Sequence, residues 1–339
     1  MRLILKHLLS AMILFVALPN AAAAPAPLTL KFDYAAVDGF LRAVDREPGD
    51  AAQWREIAHG HGADAMVRNT IKYVPDSPAE GYVASLRELA ATGKLATDPY
   101  GLGDAVANSA GIKTFMAAIR KAERGMESRI AARLVPYMKQ SDPFAITVHL
   151  VIGGASDGFV IDGSTAPEFF IAIDKAGGDI AGLEQNITHE SVHVLQRQLA
   201  LQHCPEAPSI EKRPPLARFL ATTYEEGVAN YLADPMTVTG EGEYIQMWRD
   251  RYARNATPER QRENAYLFRV LRDGLKQGEL TWDTAYQFGF YGNLDSRMYF
   301  HGRELARRFE RAGVDALSDD FSCNPERFFE DSSKLPKPR

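Results

Sequence analysis

One stretch constrains the fold more than any other: Ile187-Thr188-His189-Glu190-Ser191-Val192-His193-Val194-Leu195. It lies in a run from Ile180 to Leu201 that carries no proline and whose last glycine is Gly182, which predicts a helix. At about 3.6 residues per turn His189 and His193 stand one above the other, so two imidazole nitrogens can converge on one cation. Glu190 is rotated by about 100° from His189, which keeps its carboxylate off the ion yet near a water beside it, where a general base is needed. Val192, Val194 and Leu195 predict that the same helix packs into a core.

A Zn²⁺ site with an open position needs three protein ligands, and this helix supplies two. A histidine six residues after His193 would be one solution, but Leu199 stands there and Gln196 takes the place of the accompanying glycine. The other solution is a glutamate on a second helix. Tyr224-Glu225-Glu226-Gly227-Val228-Ala229-Asn230-Tyr231 fits, in a helix predicted to begin near Pro214-Pro215 and to stop before Pro235. Glu226 shares a face with Asn230, and the missing side chain at Gly227 lets two helices approach closely.

His-Glu-x-x-His followed by Glu-Gly-x-Ala-x-Tyr resembles the gluzincin zinc metallopeptidases, over about Phe169 to Phe309. The resemblance implies Glu226 as third zinc ligand and Asn230, where the thermolysin-like branch has aspartate, as the residue that buttresses a zinc-bound histidine. Tyr299-Phe300-His301-Gly302 is similar to the Tyr-x-x-Gly of the aminopeptidase branch, which implies Tyr299 as the group that stabilises the transition state. His301 and Tyr291 are reserve candidates for that role. The layout is also similar to that of bacterial families described as zinc-dependent peptidases.

Arg2, Lys6, the apolar run from Leu8 to Leu18 and the small residues Ala21 to Ala24 predict a signal peptide over 1–23, hence an exported protein with no stable membrane anchor. Cleavage removes two positive charges and takes the net charge from −5 to −7. No basic tract of five or more residues occurs, which predicts no nucleic-acid partner. Cys204 and Cys323 are the cysteines of the chain, and in an exported protein they can form one disulfide.

Helical periodicity governs a region from 24 to about 140, with Phe32 to Val44 first, Asp33 as its cap, and further helices over Ala51 to His59, Ala63 to Lys72, Pro78 to Thr92, Gly103 to Glu123 and Arg129 to Val135. No clustered ligands stand out there; His59 and His61, which flank Gly60 and could bind metal weakly, read as solvated loop histidines, and His149 reads as a structural strand histidine rather than a substrate contact. At Pro143 the period changes to that of strands: Ala145 to Ile152, Gly158 to Ile161 and Glu168 to Ile173. Gln202 to Pro215 reads as a loop bordering the site, Glu241 to Gln277 and Met298 to Arg311 as helices, and 332–339 as a disordered tail.

The expectation is a mostly helical α+β chain, with a zincin-like domain over 141–331 whose small sheet precedes the His-Glu-x-x-His helix. Its predicted activity is peptide-bond hydrolysis with Zn²⁺ on His189, His193 and Glu226, and Glu190 as base. Two alternatives are a zincin-fold protein that binds peptide without cutting it, and hydrolysis of another amide such as a cell-wall fragment.

Overall fold

Leu28, Leu30 and Phe32 alternate with Thr29 and Lys31, a two-residue period that buries one side of a strand. In the structure, a computed structural model describing residues 28–138, 143–161, 164–291 and 295–335, this stretch is β1 (Leu28–Asp33). The expected first helix is thus corrected at its start: Phe32 and Asp33 belong to the strand, and α1 (Ala35–Val44) begins after them with the Asp33 carboxylate accepting from the Ala35 amide. Segment 1–23 lies outside the described residues, among which no helix is long and apolar enough to cross a membrane.

Helices α2 (Ala51–Ala58), α3 (His61–Thr70), α4 (Ala79–Thr92), α5 (Gly103–Ala107) and α6 (Ser109–Leu134) follow. Asp50 and Gln53 form a reciprocal capping box at α2. The two helices expected between 103 and 135 are divided differently. The break falls at Asn108, and α6 runs through Gly125 because Ile119, Met126, Ile130 and Leu134 keep one buried stripe.

Strands β2 (Phe144–Val151), β3 (Gly158–Phe159) and β4 (Glu168–Ala172) complete a sheet of order β1-β2-β4-β3. The first three in that order are parallel and β3 is an antiparallel edge. Gly153 and Gly154, at φ of 77° and 85°, make the turn that ends β2, a conformation that side-chain-bearing residues avoid. The register aligns Asp33, His149, Phe170 and Phe159 as one rung across all four strands. Neighbours on a rung project from the same face, and Glu168, two residues before Phe170, joins them there.

After the sheet come α7 (Ile180–His203), α8 (Pro215–Leu232), α9 (Glu243–Asn255), α10 (Pro258–Gln277), α11 (Trp282–Gly289), α12 (Arg297–Arg311), α13 (Asp319–Cys323) and α14 (Pro325–Ser332). The helix expected from Glu241 to Gln277 is two, because Thr257 caps a new start at Pro258. One hydrophobic core runs from Leu28 through the sheet and α7 to Phe328, so the N-terminal helices and the later elements share it. A second core, with Phe219, Phe268, Leu271, Phe290 and Met298, joins α8 to α10 and α12. The tail packs further than expected: Arg308 donates to the carbonyls of Ser332 and Leu335, while 336–339 lie outside the described residues.

Candidate metal centre

The side chains of α7 are buried on almost every face, so the helix is a fixed platform. Asp179 caps its start and also accepts from the Ile245 amide of α9. Glu184, one turn before His189, is buried and forms a two-oxygen pair with Arg129 of α6. The backbone beneath His189 and His193 is thereby held from two sides.

α8 crosses α12 at backbone contact. A Cβ added to Gly227 would stand 2.4 Å from the Gly302 main chain, and one added to Gly302 would stand 2.2 Å from the Thr223 carbonyl oxygen. The close approach expected at Gly227 is therefore real, and its partner is the glycine of Tyr-x-x-Gly. The crossing fixes Glu226, beside Gly227, against Tyr299, one turn before Gly302.

Three donor atoms meet at this crossing. His189 Nε2 and His193 Nε2 are 3.1 Å apart, and Glu226 Oε2 lies 3.2 and 3.5 Å from them. Zn–N and Zn–O bonds of about 2.0–2.2 Å set the ligands of a tetrahedral ion about 3.3–3.6 Å apart, within a few tenths of these separations. Glu226 Oε2 is buried with two ring nitrogens facing it at 3.2 and 3.5 Å, neither in good hydrogen-bond geometry. Close approach of three metal-type donors in poor hydrogen-bond geometry is what a cation between the atoms would resolve, so the residues fit a divalent ion.

The tautomer of His193 follows from its neighbours. Gln196 Nε2 donates to the Glu225 carbonyl, which leaves Gln196 Oε1 to accept from His193 Nδ1 at 2.9 Å. With Nδ1 donating to Gln196, Nε2 is the ring atom left to face the centre. Asn230 is placed differently from the expectation that it buttresses a histidine. Its amide donates to the Glu226 carbonyl and its Oδ1 accepts from Tyr252, so it steadies the turn that carries Glu226, and Gln196 is what touches a ring. Sequence reasoning passed over Gln196; its position three residues after His193, on the same helical face, is the available signal.

Charge at the centre is arranged to attract a cation. Burial alone would lower the pKa of His193, but the facing Glu226 carboxylate outweighs it and raises the value to about 10. Glu226 is pulled below the usual carboxylate range by the two imidazoles, against burial. Burial raises Glu190, whose side chain lies under β3, where a Cβ on Gly158 would stand 2.6 Å from its Oε1. Burial first, then the charge of Glu226, lifts the Tyr299 hydroxyl well above its ordinary value, and its ring stacks on His189 at 6.3 Å.

His189, Glu190, His193, Glu226 and Tyr299 line one cleft of about 580 Å³ together with Gly158 and Phe159. Of the three candidates for stabilising charge, Tyr299 alone lines it. His301 packs on Phe268, 4.5 Å between centroids, and Tyr291 is exposed. A second cavity of about 290 Å³ opens from His193 and Glu226 between Val160, Leu201 and Ile210. The 202–215 loop borders it as expected, pinned by the Cys204–Cys323 disulfide, Cα atoms 5.7 Å apart.

A family model described as "Putative zinc dependent peptidase (DUF5700)" matches residues 54–330. No curated protein and no solved structure matches the chain.

Proposed function

From the premise that this chain belongs to that zinc-dependent peptidase family, we propose that it is an exported metallopeptidase of the gluzincin type, holding Zn²⁺ on His189, His193 and Glu226. The observation that carries the reading is the buried meeting of these three donors, 3.1 to 3.5 Å apart, in the cleft that also contains Glu190 and Tyr299. Export is supported by the charged and apolar start of the sequence and by the Cys204–Cys323 bond, since disulfides persist in oxidising compartments.

Bound there, Zn²⁺ supplies Lewis acidity, polarising a carbonyl and making a nearby water acidic near neutrality. The residues of the chain do the rest. β3 is a short edge strand beside Glu190, suited to pairing with an extended peptide backbone. Glu190 takes a proton from the attacking water as its oxygen bonds to the carbonyl carbon. The same carboxyl then gives that proton to the amine nitrogen as the C–N bond breaks. Tyr299, kept protonated by burial, donates to the oxygen that gains negative charge. Gln196 keeps the His193 ring turned toward the centre.

The test compares two variants on a mixed peptide library with elemental analysis. Glu226→Ala should lose the zinc equivalent of this centre and turnover together. Glu190→Gln should keep zinc and lose about 10²–10⁴-fold in kcat. Full zinc in the first, or undiminished cleavage in the second, would overturn the corresponding assignment.

A further inference from the structure

The sheet carries a second group of metal-type donors. The rung that aligns Asp33 with His149, together with Glu168 on the same face, meets His61 at the first position of α3. His61 Nε2 and His149 Nε2 both point at one oxygen, Glu168 Oε2, from 2.9 and 3.1 Å. His149 Nδ1 lies 2.8 Å from Asp33 Oδ2. Phe170 stacks on the His149 ring at 4.8 Å, and Phe159 stacks on Phe170 at 5.1 Å.

The convergence of two ring nitrogens on one carboxylate oxygen, behind a buried His149, is what makes this arrangement more than a surface ion pair. The Asp33 carboxylate accepts from His149 Nδ1, which leaves Nε2 as the ring atom turned toward Glu168 Oε2. A ring whose outer nitrogen donates to a carboxylate while the inner one faces other donors is the arrangement found behind metal-ligating histidines. Two imidazoles and one carboxyl group with their donor atoms gathered at one point are a donor set that a dication takes. We propose that His61, His149 and Glu168 bind a divalent transition-metal ion of the class that takes imidazole and carboxylate, with Asp33 as the positioning residue of His149. The separations are shorter than those of a tetrahedral ion by a few tenths of an ångström. His61, with its side chain 51 % exposed, can open by that amount.

Such an ion ties α3 and β1 to the rung whose far end is β3, and Gly158 of β3 lies against Glu190. It is a clamp on the N-terminal elements, and it stands or falls separately from the reading of the α7–α8 centre. Zn²⁺ uptake is measured by elemental analysis after equilibrium dialysis against a zinc–chelator buffer, with circular dichroism to verify folding. The wild type should take up two equivalents and Glu226→Ala one. Adding His61→Ala or Glu168→Gln to Glu226→Ala should remove the remaining one. Asp33→Asn in the Glu226→Ala background should keep it but weaken it about 10–100-fold. If Glu168→Gln fails to fold, the half-exposed His61 variant decides. Two equivalents in His61→Ala alone, or none in a folded Glu226→Ala, would overturn the proposal. One equivalent in the wild type, lost only with His61→Ala, would uphold it and reject the α7–α8 centre instead.

Discussion

Two places in this protein gather two imidazoles and one carboxylate, and they do so by opposite means. At the helix crossing, His189 and His193 come from consecutive turns of α7, and Glu226 arrives on α8 because Gly227 and Gly302 let two backbones touch. On the sheet, His61 and Glu168 stand 107 residues apart in sequence and meet through strand register and the placement of α3. The orienting partners differ as well: a neutral amide, Gln196, for His193, and a carboxylate, Asp33, for His149. The helix centre lies in a deep cleft beside a buried base, whereas the sheet group has one half-exposed ring and no such neighbour among the described residues. The proposed roles differ accordingly: chemistry at the crossing and clamping at the sheet.

The comparison is open to attack first at the crossing. Gly227→Ala places a Cβ into the Gly302 main chain, where no flexible side chain can yield, and should destabilise the protein by about 3 kcal/mol in denaturant titration. A change within error would mean that the helices can separate freely and that the crossing does not set the centre. Gln196→Leu should be next in size. Freed from its acceptor, His193 should hold zinc about 10–100-fold less tightly, about 1.4–2.7 kcal/mol, while uptake at the sheet group stays unchanged. Equal weakening at both would show that the two are coupled.

The smallest effect concerns a histidine outside both groups. His301 packs on Phe268 near Arg308 and Arg269; burial first, then these cations, pushes its pKa down to about 3. The sign follows from the depressed folded value: the unfolded chain takes the proton first, so stability present above pH 6.5 is lost as pH falls toward 3. Allowing for partial solvent screening, His301→Leu should reduce the loss between pH 6.5 and 5 by about 1 kcal/mol, read from urea midpoints at the two pH values. An unchanged pH dependence would mean that His301 is not held neutral by its burial against Phe268 and the two arginines.

The His-Glu-x-x-His spacing made the convergence of His189 and His193 legible because a helix converts a four-residue interval into one face. Glu226 was readable from Glu-Gly for the same local reason, and Tyr299 from the matching glycine. Asn230 was assigned a contact with a ring, yet it reaches Tyr252 instead, because the position of α9 against α8 is not written in the helix that carries it. β1 was missed although its alternation was present, since six residues next to a strongly helical stretch carry a weak signal. His149 and His61 looked unremarkable for a deeper reason: neither has a ligand neighbour at any regular interval.

What the sequence determined by itself was a mostly helical chain with a short β segment ahead of one metal-type helix, together with the residues whose spacing lies within a single element. Tertiary structure decided which elements touch: the glycine crossing that turns Tyr299 toward Glu226, the edge strand over Glu190, and the sheet register that lines up Asp33, His149 and Glu168. The physical reason is that helix periodicity is fixed by local backbone geometry, whereas strand pairing and helix crossing depend on packing between segments far apart along the chain.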